Sequence, residues 1–168
     1  MTMSMYRASV PVFQARLKGL AHCLRIAEAN AAERKIDPAV LLAARLAPDM
    51  LSLTQQVQIA TDHAKGAPSR LAQRDIVRFE DVEKSFPELQ ARITRTLDLL
   101  DTFEPAEIDG SEERTIEIKG RTRDLSFTGS DYLLHFALPN FYFHVTTAYG
   151  ILRHNGVPLG KPDFLRRD

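Results

Sequence analysis

An all-α fold is what this sequence predicts, a four-helix bundle with a small β-hairpin between helices 3 and 4. Three observations predict it. Four long stretches carry apolar residues at steps of three and four, the period of a helix that buries one face. Serine, aspartate and proline stand where these stretches begin, as residues that cap or start helices. One short stretch ahead of the last helix instead alternates apolar and polar residues, the period of a strand.

The first helix is in place by Ser9, which can cap it, because Pro11 is tolerated in a first turn. Val10, Phe13, Leu17, Leu20, Leu24 and Ala27 form its apolar stripe, and it runs to about Ala32. Asp37–Pro38 starts a short helix from Ala39 to Arg45. Pro48 begins the second long helix, with Leu46, Met50, Leu53, Val57 and Ala60 facing inward. Lys65–Gly66 ends it, since glycine readily takes the left-handed conformation, and a helical turn follows at Pro68–Ala72. Ser85, Pro87 and Glu88 announce the third helix as a capping box, with Phe86, Leu89, Ile93, Leu97 and Leu100 on its apolar face. It stops near Glu104–Pro105. Thr115–Lys119 and the Leu125/Phe127 alternation pair as an antiparallel hairpin, with Gly120 between them. Ser130 or Asp131 caps the fourth helix, Pro139 is placed to kink it, and Asn155–Gly156 closes it. The tail from Val157 to Asp168 is expected to pack loosely.

A chain of 168 residues, 44% apolar and 26% charged, suits one globular domain over 1–168. Lys+Arg and Asp+Glu both number 22, so there is no basic surplus of the kind a nucleic-acid surface needs. Cys23 is the single cysteine, which excludes an internal disulfide and fits a reducing cytoplasm; its apolar neighbours make it a packed residue. No stretch approaches the ~20 apolar residues that span a membrane, and the start lacks a signal-peptide pattern. The expectation is a cytoplasmic protein with neither nucleic-acid nor membrane partners.

Chemistry concentrates in PNFYFHVTTAYGILRHNG, residues 139–156. A continuous helix there puts Asn140, His144 and Thr147 on one face, beside an ordinary core stripe of Phe141, Val145, Ala148 and Leu152. An imidazole and an amide one turn apart among aromatic residues read either as a ligand site or as a satisfied buried network. On helix two, Gln56 falls where it can bond into the bundle interior, while Gln55 and Gln58 face water. His63 stands near the expected helix end, where a protonated imidazole would be favoured. His22 and His154 read as exposed or structural, and His135 as a packed partner to another polar group. His135 and His144 fall on opposite sides of a straight helix, and no His-x-x-x-His pair exists. Spacing alone therefore builds no metal site. Nucleophile elbows, phosphate-binding glycine loops and dinucleotide fingerprints are absent, and the acidic residues Asp81/Glu83 and Glu112–Glu113 lie in linkers with nothing to bury them.

LAPDML (46–51), QVQIATDHAKG (56–66) and LPNFYFHVTTAYGILRHNGV (138–157) together resemble a bacterial family known as domain of unknown function 1993. That family looks like a branch of the DinB-like superfamily of four-helix bundles, many of them classed as metalloenzymes. The resemblance implies a three-histidine site, one ligand from helix two and a His-x-x-x-His pair from helix four. On this chain the pair falls on Asn140 and His144, and the helix-two position falls near Gln55–Gln56. Neutral amides are poor zinc or nickel ligands, so no cofactor is expected. The leading expectation is a homodimer with a small-molecule cleft lined by Gln56, His63, Asn140, His144 and Tyr149. The enzymatic alternative is a hydrolase or thiol transferase holding zinc or nickel on His63 and His144. The third is a structural or stress-related dimeric interaction module.

Overall fold

The computed structural model describes residues 4–119 and 123–166. Its elements are α1 (Met5–Glu33), α2 (Pro38–Ala43), α3 (Leu53–Leu71), α4 (Phe86–Leu100), α5 (Pro105–Ile108), β1 (Thr115–Ile118), β2 (Leu125–Thr128), α6 (Gly129–Asp131), a π-helical stretch (Tyr132–Ala137), α7 (Leu138–His154) and α8 (Lys161–Leu165). The all-α bundle is as expected. Helix α3 packs on both α4 and α7, and α1 closes the ring against the same two helices. Phe13, Leu17, Leu24, Val57, Leu89, Ile93, Phe141 and Leu152 fill the centre, each almost wholly removed from water. Among the described residues no helix is long and apolar enough to cross a membrane.

The helix ends show where local signals compete. Helix α1 is in place before Ser9, capped by Ser4, and carries Pro11 beyond the first turn expected for it. Helix α2 is displaced toward its Asp37 cap and stops at Ala43. Helix α3 does not start at Pro48. Ser52 accepts from the Gln55 amide while the Gln55 side chain accepts from Ser52 N, a capping box stronger than a lone proline. Leu46 is therefore exposed and Met50 half-buried in the preceding turn, rather than inward on the helix.

Nor does α3 end at Gly66. It continues through Pro68 to Leu71, with Gln73 left-handed at φ 55°. The amides of Gln73 and Arg74 then bond back to Arg70 and Ser69, the reciprocal pattern of a Schellman close. Lys35 (φ 54°) ends α1 and Gly156 (φ 81°) ends α7 in the same way. Only one of the three left-handed residues is glycine, which is why composition misplaced the end of α3.

Helix α4 starts at Ser85 as expected, but stops at Leu100, short of Pro105. The hairpin pairs Ile116 with Phe127 and Ile118 with Leu125, and Ile116 is buried beneath it. Gly120 lies outside the described residues. Thr128, rather than Ser130 or Asp131, caps the helix that follows. Pro139 has no amide proton, and ahead of it the backbone widens into the π-helical stretch, where Leu138 N reaches Leu133 O.

The tail does not pack loosely. Val157 and Leu159 are buried, and α8 lies on α1, where Arg16 donates to the carbonyls of Phe164 and Leu165. A Cβ at Gly19 would stand 2.6 Å from Phe164 O. Gly19→Ala should push α8 off α1 and cost about 1–3 kcal/mol in a denaturant titration. An unchanged midpoint would show that α8 tolerates the displacement.

Arg92 is the second departure. It occupies the inner stripe of α4 beside Ile93 and is 1% exposed. Its guanidinium bonds Thr61 Oγ1 (2.7 Å), Asp62 (3.0 Å), Asp81 (3.0 Å) and Glu83 (3.1 Å), tying α3 and the α3–α4 connection to α4. Asp62 is shared with the buried Lys65 at 2.9 Å. Gln58, expected in water, is buried and donates to Glu83 at 2.9 Å. Asp81 and Glu83 thus do find a partner in Arg92, and the Glu83 side chain is only 6% exposed. Its carboxyl stays below the usual range because the Gln58 and Arg92 bonds to the anion outweigh burial, the largest single influence, which pushes upward. Arg92→Met would leave these carboxylates uncompensated and should cost about 3–5 kcal/mol by chemical denaturation. A loss below 1 kcal/mol would mean the connection is held by its other contacts.

Candidate functional site

Gln56 on α3 and His144 on α7 meet in the interface between those helices, with His144 Nδ1 2.7 Å from Gln56 Oε1. Gln56 is 1% exposed and His144 9%. The amide is oriented by its other end, since Gln56 Nε2 donates to Leu51 O at 3.3 Å. Its oxygen therefore faces the ring, and the ring nitrogen facing an acceptor must carry the proton. His144 is thus an Nδ1–H tautomer whose Nε2 keeps its lone pair.

His63 lies two turns beyond Gln56 on α3, so it shares the same helix face. Its ring stacks on His144, with centroids 5.8 Å apart and planes 17° apart. Phe136 approaches His63 edge-on at 6.2 Å, and Phe143 approaches His144 at 5.2 Å. Burial, then His144 and Arg70, lower the His63 pKa from 6.5 to about 4, with Asp62 opposing weakly. Burial also lowers that of His144. Both rings are neutral at neutral pH. The expectation of a charged His63 at a helix end is overturned, because α3 runs well past it.

The remaining residues separate. Asn140 is half-buried one turn before His144, but its amide donates to Phe136 O at 2.7 Å on its own chain segment. Thr147 likewise bonds Phe143 O at 2.7 Å. Of the three polar residues on that face, only His144 bonds across to α3. Tyr149 is not brought to the histidines. It packs edge-on against Phe164 of α8, with centroids 5.6 Å apart. His22 meets Asp163 at 3.1 Å, while His135, expected to be packed, and His154 are exposed. Cys23 is buried, and burial pushes its thiol up to about 11, which makes it a poor nucleophile.

Two interior cations were not singled out from sequence. Arg70 lies two turns beyond His63 on the same face, where it bonds Tyr132 OH at 3.2 Å. The spacing 56, 63, 70 was legible, but ending the helix at Gly66 concealed it. Arg92 sits at a stripe position of α4 among Leu89, Ile93, Thr96 and Leu100, a breach of the apolar pattern that marks a buried charge.

The donor set does not fit a three-histidine ion. At the positions the resemblance points to, one imidazole accompanies two amides, and the Gln56 oxygen is already engaged by His144 Nδ1–H. Among the described residues no group of three or more His, Cys, Asp or Glu side chains is placed to hold a metal.

The fold is a helical bundle with a two-stranded hairpin and a polar contact between α3 and α7. A crystal structure of a DinB family member protein from Shewanella denitrificans is similar, with 41% identity and a TM-score of 0.86, covering 95% of this chain and 90% of that one. The chain belongs to the family Domain of unknown function (DUF1993), whose profile matches residues 5–165. No curated protein matches.

The low pKa of His63 has a consequence for stability. The unfolded chain binds this proton near pH 6.5, and the folded chain only near about 4. The contribution of this group to stability is fully present above pH 6.5 and declines as pH falls from there toward about 4. In denaturant titrations across that window, His63→Gln should flatten the decline. An unaltered slope would place the titration elsewhere.

Proposed function

We propose that the α3–α7 cleft binds a small molecule without a three-histidine metal. What carries this reading is the Gln56–His144 bond, which fixes one tautomer and leaves Nε2 as an acceptor beside a second neutral imidazole. Phe136 and Phe143 supply apolar walls around these polar atoms. Such a lining suits a molecule with a flat apolar part and a hydroxyl or amine hydrogen to donate. Asn140 stands at the edge of this cleft, and Tyr149 drops out of it.

Assembly as a homodimer is part of the proposal. Leu134 (39% exposed), Tyr142 (38%) and Phe143 (55%) put large apolar groups outward on the π-helical stretch and α7. Sedimentation across a concentration series should show a dimer; monomer alone would remove that part. A reducing, cytoplasmic setting is proposed from the single, buried cysteine.

The test of the cleft is metal titration together with long-range nitrogen–proton NMR on tag-free protein. The expected result is no stoichiometric zinc or nickel, with His144 in the Nδ1–H form and Gln56→Leu dissolving that preference. One ion per chain, lost on His144→Ala, would instead establish the metal-dependent hydrolase or transferase reading.

A further inference from the structure

We propose that the groove between the C-terminal end of α3 and strand β1 is a second binding site, one that takes the phosphate group of a small phosphorylated molecule. The groove has a volume of about 760 Å³, within the range of small-molecule sites. Its lining includes none of Gln56, His63 and His144, and Arg70, two turns beyond His63, stands at its α3 end.

Arg70 is held and yet not used up. Its Nη1 bonds Gly66 O and Tyr132 OH, both at 3.2 Å, while its other nitrogens make no bond among the described residues. Gly66 supplies the room, since a Cβ there would stand 2.7 Å from that Nη1. This gives a helical glycine a reason to exist that termination does not. Arg74 forms a rigid wall, bound to Glu107 and Thr102 and stacked 4.3 Å over Phe103. Arg78 and Lys119 line the groove from the connection and from the end of β1, and make no ion pair among the described residues. Arg114 donates to Leu71 O, which covers the negative end of α3 that would otherwise repel an anion.

Three cations with free donors thus face one space, and guanidinium forks match phosphate oxygens. A phosphomonoester dianion gains more from them than a carboxylate does. Ile76 and Ile118 give an apolar wall for the organic part, and Asp75 and Glu117 can accept from its hydroxyls. Those two carboxylates repel inorganic phosphate and a phosphate ester alike, so the preference for the ester rests on the apolar wall.

The experiment is an amide NMR titration of labelled protein with phenyl phosphate, run beside inorganic phosphate and benzoate. Saturable shifts confined to the surroundings of Arg70, Ile76, Arg78 and Lys119 are expected, with phenyl phosphate about tenfold tighter than either control. The rim variants Arg78→Ala and Lys119→Ala test it without touching the Tyr132 contact, and each should weaken binding several-fold. Asp75→Asn should tighten it, an effect a purely structural role would not produce. His144→Ala should leave it unchanged, so failure here and failure of the histidine cleft are separable. Shifts scattered over the surface, equal binding of the controls, or indifference to the rim variants would overturn the assignment.

Discussion

A charged group sealed inside the bundle dictates how its parts meet. Arg92 cannot be buried among apolar side chains alone, because desolvating a guanidinium costs far more than its stem gains. It must gather acceptors, and it takes them from α3, through Thr61 and Asp62, and from the connection, through Asp81 and Glu83. The long segment between α3 and α4 therefore follows one path. Phe79 on that segment is sandwiched by cations as well, with Arg95 4.1 Å and Lys65 5.1 Å from its ring centre. Register between α3 and α4 follows from satisfying these charges, and α3 then offers its next face to α7.

That next face is a polar line, with Gln56, His63 and Arg70 at two-turn intervals. The aromatic residues of the π-helical stretch and α7 cover it: Tyr132 meets Arg70, Phe136 meets His63, and His144 meets Gln56. Each polar group is answered by a different chemistry, whether hydroxyl, ring edge or imidazole. The widened backbone ahead of Pro139 precedes the turn that carries Asn140 and His144, and Phe136 within it touches His63. A proline that merely interrupts a helix in sequence thus stands where the site is assembled.

At the three positions where the resemblance implies imidazoles around an ion, this chain carries two amides, Gln56 and Asn140, and one imidazole, His144. The substitution changes what the remaining histidine is for. The carboxamide oxygen accepts from Nδ1–H and so leaves the Nε2 lone pair as the free acceptor, while burial holds His144 neutral. With His63 stacked alongside and also neutral, the α3–α7 contact presents hydrogen-bonding capacity without charge.

Much was legible in the residues alone. Apolar periodicity placed the four long helices, the alternation of Ile116, Ile118, Leu125 and Phe127 placed the hairpin, and helical spacing put His144 on an inner face beside Gln56's helix. These are local properties, decided within a few turns of chain. What only the tertiary structure decided was which polar residues became interior. Gln58 and Glu83 looked solvated and are buried, while Tyr149 looked like site lining and belongs to the α8 contact. Gln73, not Gly66, took the left-handed conformation that closes α3. A side chain's burial depends on partners distant in sequence, and a lone stretch of chain carries no record of who those partners are.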